Sequence, residues 1–461
     1  MKKGFLFTFT VLSVLAISGL AYAAVTPDKV SPLVRIKDKY YTFIEDPLLY
    51  ENGNVVLKMG LDLRVRMENF SQGDNGMFGG TESNDTYITY RAMGSLNLEA
   101  GETFTFFLEG IWAGVGSYYI SPAPSDVADA LDLHRLTVSI HPPDWPFVFT
   151  IGRQYFKVED GRFLGYADWS QVPVTFDGVG AKYKGGEAWS LNMLVGMQVW
   201  PDNHNFDTPS NDENPGVDDD FVYAALWGDY RFSDELNLGV FLIAKVDDNN
   251  QTQGEDGQFS DWRTYTYGVR GYGKVYGMDY SIDVALQQGN HGSDDIGAWS
   301  TEMRVGYSFE SNMNPRLEGA FTFAAGDNEP LDGKYATFDP LVNDGIDRYG
   351  LMGVVSASNA TIIYIGGQLE PIERLTLSLK LFQYSRVKAN DEWYDPKGPI
   401  YAGWFDSKNL GTEIDLGVSY GIDKYTTVSG GFATLFGSQF LEDKGLKDGG
   451  TFLYVSLRLK F

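Results

Sequence analysis

The sequence has no cysteine in 461 residues. Disulfide scaffolds, thiolate nucleophiles and cysteine-based zinc sites are therefore excluded. Histidine is almost as scarce, with only His134, His141, His204 and His291 present, none at metal-ligand spacing from another. No metal centre and no cofactor is expected, and there is no phosphate-binding glycine loop. Basic residues are also in deficit, 36 against 62 acidic ones, for a net charge of −26. That balance opposes nucleic acid as a partner, since Lys and Arg carry affinity for a phosphate backbone. Beyond the first 24 residues no apolar run is long enough for a membrane-spanning helix, and no helical periodicity is sustained.

What the chain does have is aromatics, 28 Tyr, 30 Phe and 10 Trp, together with 53 Gly. It begins with Lys2 and Lys3, an apolar run from Phe5 to Leu20, and Ala21-Tyr22-Ala23. This is the pattern of an export signal over residues 1–23, cut after Ala23. Its removal takes two lysines and moves the charge from −26 to −28. Residues 24–53 contain Pro27, Pro32 and Pro47, which argue against a central strand. This segment is expected to lie in the periplasm or to plug a lumen.

From 54 to 461 the sequence alternates with period two. In NVVLKMGLDLRVRMENF, Val55, Leu57, Met59, Leu61, Leu63, Val65 and Met67 share one face, while Lys58, Asp62, Arg64, Arg66 and Glu68 share the other. In RLTLSLKLFQYS, Leu375, Leu377, Leu379 and Leu381 oppose Thr376, Ser378 and Lys380. About 18 such segments follow one another, from 54–70 to 450–461. Each approaches the ~9–11 residues that a tilted strand needs to cross a bilayer. Short connections (Gly101-Glu102, Gly185-Gly186, Ser233-Asp234, Gly421–Asp423) alternate with long ones (71–85, 157–173, 200–219, 248–260, 290–297, 327–358). Backbone in hydrocarbon must pair within the protein, and only a closed sheet leaves no edge. An all-β, transmembrane, antiparallel up-and-down barrel is therefore expected, with short periplasmic turns and long external loops in a bacterial outer membrane.

Three stretches resemble the alginate-export family of outer-membrane porins: IGRQYFKVEDGRFLGYADWSQVPVTFDGV (151–179), PRLEGAFTFAAGDNEPLDGKYATFDPL (315–341) and NLGTEIDLGVSY (409–420). The resemblance implies an 18-stranded barrel that conducts a polysaccharide or small solutes. The chain ends TFLYVSLRLKF, and this ending resembles the signal read by the barrel-assembly machinery, with Tyr454, Leu457, Leu459 and Phe461 as its residues. Expected partners are that machinery, outer-membrane lipid or lipopolysaccharide, and a small solute or saccharide. One feature departs from an exporter of polyanionic alginate, whose lumen is strongly basic. The stretch 200–220 carries seven acidic residues and 247–261 five more, with no Lys or Arg in either. An acidic mouth attracts cations and repels polyanions; the alternative is that these loops are simply solvated, or bridged to lipopolysaccharide by divalent cations. The turn at 421–423 also leaves little room for a periplasmic gating segment.

Parity assigns the inward, pore-lining residues: Arg64, Arg66, Glu68, Arg91, Arg135, Arg270, Arg304, Arg316, Glu318, Glu413 and Asp415. Arg64, Arg66 and Arg91 fall on neighbouring strands and are the first candidates for a selectivity zone, although such groups also brace barrel walls. Arg153 shares the parity of the apolar Phe149 and Ile151, but the Gly-Arg-Gln pattern of the resemblance places it in the lumen. Asp160 and Arg162, after the fifth strand, are candidates for a loop that folds inward and constricts the pore. A passive channel is expected rather than an enzyme. The alternatives are a barrel lipase or protease, in which His134, on a strand, would join a Ser/His or Asp/His site, and an adhesin with a blocked lumen.

Overall fold

The computed structural model describes residues 48–71, 84–117, 129–183, 188–199, 221–329, 331–343, 345–346, 348–396, 398–401, 407–443 and 449–461. The expected export signal at 1–23, most of the segment 24–53 and the acidic stretch 200–220 lie outside the described residues.

A 20-stranded sheet contains the barrel, whose 18 strands run in chain order. They are β1 Val55–Ser71, β2 Asn84–Ala100, β3 Phe104–Ser117, β4 Asp129–Ile140, β5 Phe147–Gln154, β6 Thr175–Tyr183, β7 Trp189–Val199, β8 Val222–Arg231 and β9 Asn237–Gln253. The second half comprises β10 Phe259–Val275, β11 Met278–His291, β12 Asp294–Ser308, β13 Arg316–Ala324, β14 Ala360–Ile372, β15 Leu375–Arg386, β16 Asn409–Gly421, β17 Thr426–Phe436 and β18 Thr451–Lys460. Each pairs antiparallel with the next, and β18 pairs with β1 from Asp62↔Lys460 to Ser71↔Thr451. Phe461 extends this seam by exchanging two 3.0 Å backbone hydrogen bonds with Leu61. Below the seam, Leu48–Asn52 turns back on Val55–Lys58 and continues the ladder.

Alternation explains the outer surface. Leu377, Leu379 and Leu381 are exposed, as are Leu238, Val240 and Leu242, and Leu453, Val455 and Leu457. Such a belt of outward apolar side chains suits a lipid-facing surface. Exposed aromatics gather at the short-turn end, among them Trp145, Tyr230, Phe232, Tyr276, Tyr307 and Phe309. This is where an interfacial girdle belongs.

Two expectations are corrected. The long connection expected at 290–297 is a tight turn at Gly292-Ser293, and the one at 248–260 shrinks because β9 and β10 keep pairing out to Gln253↔Phe259. Beyond the bilayer both faces of a strand meet water, so the ladder persists after the apolar alternation has stopped.

The lumen is also drier than alternation alone implies. Two connections, 155–174 and 325–359, fold into the barrel and touch through the bridge Leu164↔Val342. Phe156, Phe163 and Leu164 from the first, and Phe338, Val354 and Val355 from the second, join inward-facing Phe241, Ile243, Ile362 and Phe382 in one buried cluster.

Candidate functional site

The inward loops meet the barrel wall at an ion-paired septum. Glu159, Asp160 and Arg162 come from the first loop and Arg348 from the second; Arg270, Asp283, Glu302 and Arg304 come from β10, β11 and β12. Arg348 joins the loops to the wall, bonding Asp160 at 2.7 Å and Glu302 at 2.6 Å. Glu302 also accepts from Arg304 at 2.7 Å and from Thr322 at 3.0 Å. Arg270 lies 3.5 Å from Glu159, 3.3 Å from Asp160 and 3.6 Å from Asp283. Arg162 bonds Ser300 at 2.8 Å, within 3.9 Å of both Asp283 and Glu302. These four acids and four bases cancel when all are ionised. They are not equally held, however. Burial opposes the charge on Asp160, but Arg348 and Arg270 keep its carboxyl below the usual range. Burial pushes Glu159 up to about 7, outweighing the attraction of Arg270.

A cavity lies on each side. One, of about 690 Å³, opens toward the short turns and is lined by Arg231, Arg270, Lys274, Arg304 and Arg316 with Asp234, Asp279 and Glu318. There Arg316 bonds Asp279 at 2.7 Å, and Glu318 at 3.3 Å, while Tyr364 donates to Glu318. The other, of about 740 Å³, lies toward the long loops and is walled by aromatics.

The remaining candidates hold the loops in place. Arg64 and Arg91 face each other across β1 and β2. Arg64 donates to the carbonyls of Asp168 and Ser170 at 2.8 and 2.7 Å, and Arg91 reaches the Asp168 carboxylate at 2.9 Å. Arg66 donates to the Trp169 carbonyl at 2.9 Å, stacks on its ring and pairs with Glu68. Arg458 of β18 completes the latch at 2.8 Å from Asp168. Burial opposes the Asp168 charge, yet Arg458 and Arg91 hold this carboxyl far below its ordinary range. Two strands from β18, on β16, Asp415 and Glu413 accept from the backbone of Leu351 and Met352 at 3.0 and 2.9 Å, anchoring the second loop. Arg135 forms a two-pronged pair with Glu109 and packs on Tyr155 and Phe107. His134 bonds the Tyr155 hydroxyl at 2.9 Å.

Arg153 is a correction, because it faces outward rather than into the lumen. It is in register with Leu136 of β4 and Asp177 of β6, and Leu136 is 47% exposed on the outer surface. Arg153 bonds both carboxylate oxygens of Asp177 at 2.9 Å. Strict alternation from Ile151 prevails over the motif. The preceding Gly152 has φ +119°, and a Cβ there would strike the Leu136 carbonyl. The Gly-Arg-Gln stretch thus serves close strand packing and an outer ion pair.

Several septum and latch residues were not singled out in the sequence. Asp283 was within reach of parity. Arg348, Asp168 and Glu159 lie in loops, where no periodicity points at a partner.

The sequence profile described as alginate export matches residues 55–450. No curated protein matches in sequence. Among solved structures the fold resembles Pseudomonas aeruginosa OccD3 (OpdP), with 14% identity, 87% of this chain and 91% of that chain covered, and a TM-score of 0.56. It also resembles Pseudomonas aeruginosa OpdL, with 12% identity, 88% and 98% coverage and a TM-score of 0.58. Acinetobacter baumannii OccAB4 is similar as well, with 12% identity, 88% and 98% coverage and a TM-score of 0.57.

Proposed function

The chain belongs to the alginate-export family and is an outer-membrane channel, and we propose that small solutes or saccharides cross it passively by way of two vestibules divided by the charged septum. The observation that carries this is the septum itself, eight ionisable groups from two loops and three strands between cavities of about 740 and 690 Å³. Short turns face the periplasm, residues 1–23 direct export and are removed, and the terminal strand through Phe461 is read by the assembly machinery. Bilayer and lipopolysaccharide cover the outer belt. Arg270, Arg304, Arg316 and Asp160 set selectivity, because they face the space that a solute must pass. His134 is a wall residue, and no catalytic step is proposed.

Reversal potential in a salt gradient across a planar bilayer tests the septum. Glu159 is neutral below about pH 7 and ionised above it, so the septum gains one negative charge as pH rises through that value. Anion preference is expected to weaken as pH rises through that value. Glu159→Gln should hold the low-pH selectivity at both ends of the range. A pH-independent potential would overturn the assignment. Strong anion preference throughout would instead favour a dedicated exporter of an anionic polysaccharide.

A further inference from the structure

We propose that the outer vestibule is a binding site for neutral sugar rings, held by aromatic faces and polar edges rather than by charge. This rests on the channel reading above and adds a substrate class to it. The cavity volume of about 740 Å³ falls inside the range of about 300–1,000 Å³ common for small-ligand sites.

Four rings that line the cavity, Tyr166, Trp169, Trp262 and Tyr335, are each braced by a protein group. Tyr155 stacks on Tyr166 with centroids 4.5 Å apart. The Arg66 guanidinium lies 4.4 Å from the Trp169 centroid. The Lys245 ammonium lies 3.7 Å from that of Trp262. His291 stacks on Tyr335 at 4.3 Å. Bracing fixes each ring while leaving the space it lines open. A flat partner therefore meets platforms whose ordering cost was met during folding.

Charge decides which flat partner fits. Of the charged groups in the lining, Asp168 is held by Arg91 and Arg458, Asp339 is held by Lys245, and Asp395 is the third carboxylate. Lys245 is held by Asp339 at 2.9 Å and by the rings of Phe221 and Trp262. Its ammonium belongs to the wall, so among the lining residues the lysine is already committed and a polyanion gains no new ion pair from it. A cationic ligand is disfavoured as well. Trp169 and Trp262 already carry a cation over one face, which depletes the negative potential that a second cation would need. A neutral pyranose suits what is left. Its C–H face carries slight positive charge and lies on an aromatic face, while its hydroxyls reach edge groups such as Gln198, Asn343 and Ser358.

The test is current block in planar bilayers by maltotriose, with trigalacturonate as the anionic control, each added from either side. Maltotriose added on the long-loop side should interrupt the current, and trigalacturonate should block at least tenfold more weakly. Trp169→Ala and Tyr335→Ala should each weaken the maltotriose block at least tenfold. Trigalacturonate blocking as well as maltotriose, or maltotriose block unchanged in both variants, would overturn the site. Tryptophan fluorescence of the native detergent-solubilised barrel, titrated with both sugars, gives a second measurement independent of the variants' folding. A saturable change with maltotriose alone is expected, and its absence counts against the site. A barrel that conducts but ignores maltotriose defeats this inference alone, whereas one that binds maltotriose without conducting defeats only the channel.

Discussion

The first inward loop is fastened at two places by opposite chemistry. On the wall of β1, β2 and β18, the guanidiniums of Arg64, Arg66, Arg91 and Arg458 grip the carbonyls and carboxylate of Asp168–Gln171. On the wall around β9, Phe163 enters a dry cluster, its ring 5.1 Å from Phe241 and 6.0 Å from Phe338. The polar grip is directional and fixes the position of the turn. The apolar grip tolerates small shifts and fixes only how deeply the loop sits. A pore narrowed in this way can have an exact charge register at its septum without a rigid loop throughout.

Breaking the polar side is expected to have the largest effect. Arg91→Ala takes one guanidinium from Asp168 and Asp62 but leaves Arg458 on both, so the low end of the about 3–5 kcal/mol for removing one partner of a buried pair is expected. Local opening of 155–174 should become roughly a hundredfold or more frequent, read as faster amide exchange in that loop together with larger, noisier conductance. Raising salt to about 1 M, where the screening length falls to about 3 Å, should mimic part of this in the native barrel.

Phe163→Ala attacks the apolar side. Phenylalanine truncation in a core costs about 3–5 kcal/mol, and the low end is expected because a loop can collapse into the gap. Exchange should quicken around Phe163 and Leu164 while the Asp168 turn stays protected. Ion selectivity should change little, since Arg162 loses the Phe163 ring under its guanidinium but keeps its bond to Ser300. Equal loss of protection at both ends would show that the two fastenings form one unit, and the contrast would fail.

The same contrast explains what the sequence made legible. Strands such as Leu375–Arg386 announce themselves because lipid and lumen impose opposite demands on alternate side chains. The stretch ELNLGVFLIAKV shows the limit of that rule. Leu238, Val240 and Leu242 are exposed on the outer face as alternation implies, but Phe241 and Ile243 are apolar and buried on the inner face. An apolar inner face signals that something dry covers it, although the sequence does not say what. The covering segments have no period, and their key contacts are remote: Arg348 reaches Asp160 across 188 residues. Parity therefore finds Arg64 and Arg91 but not the loop carbonyls that occupy them.

The smallest effect is expected outside the lumen, at Arg153. Its pair with Asp177 is partly exposed, with side-chain exposures of 24% and 46%. Pairs at a water-facing surface contribute about 0–1 kcal/mol, and this one lies at the long-loop end of β5. Arg153→Gln keeps the chain length and can still donate to the Leu133 carbonyl that Arg153 holds at 3.0 Å. Thermal unfolding in detergent should shift only slightly, and conductance, selectivity and pH response should match the native channel. A changed reversal potential in this variant would mean that Arg153 contributes to the pore after all, and the outward register of β5 would have to be abandoned.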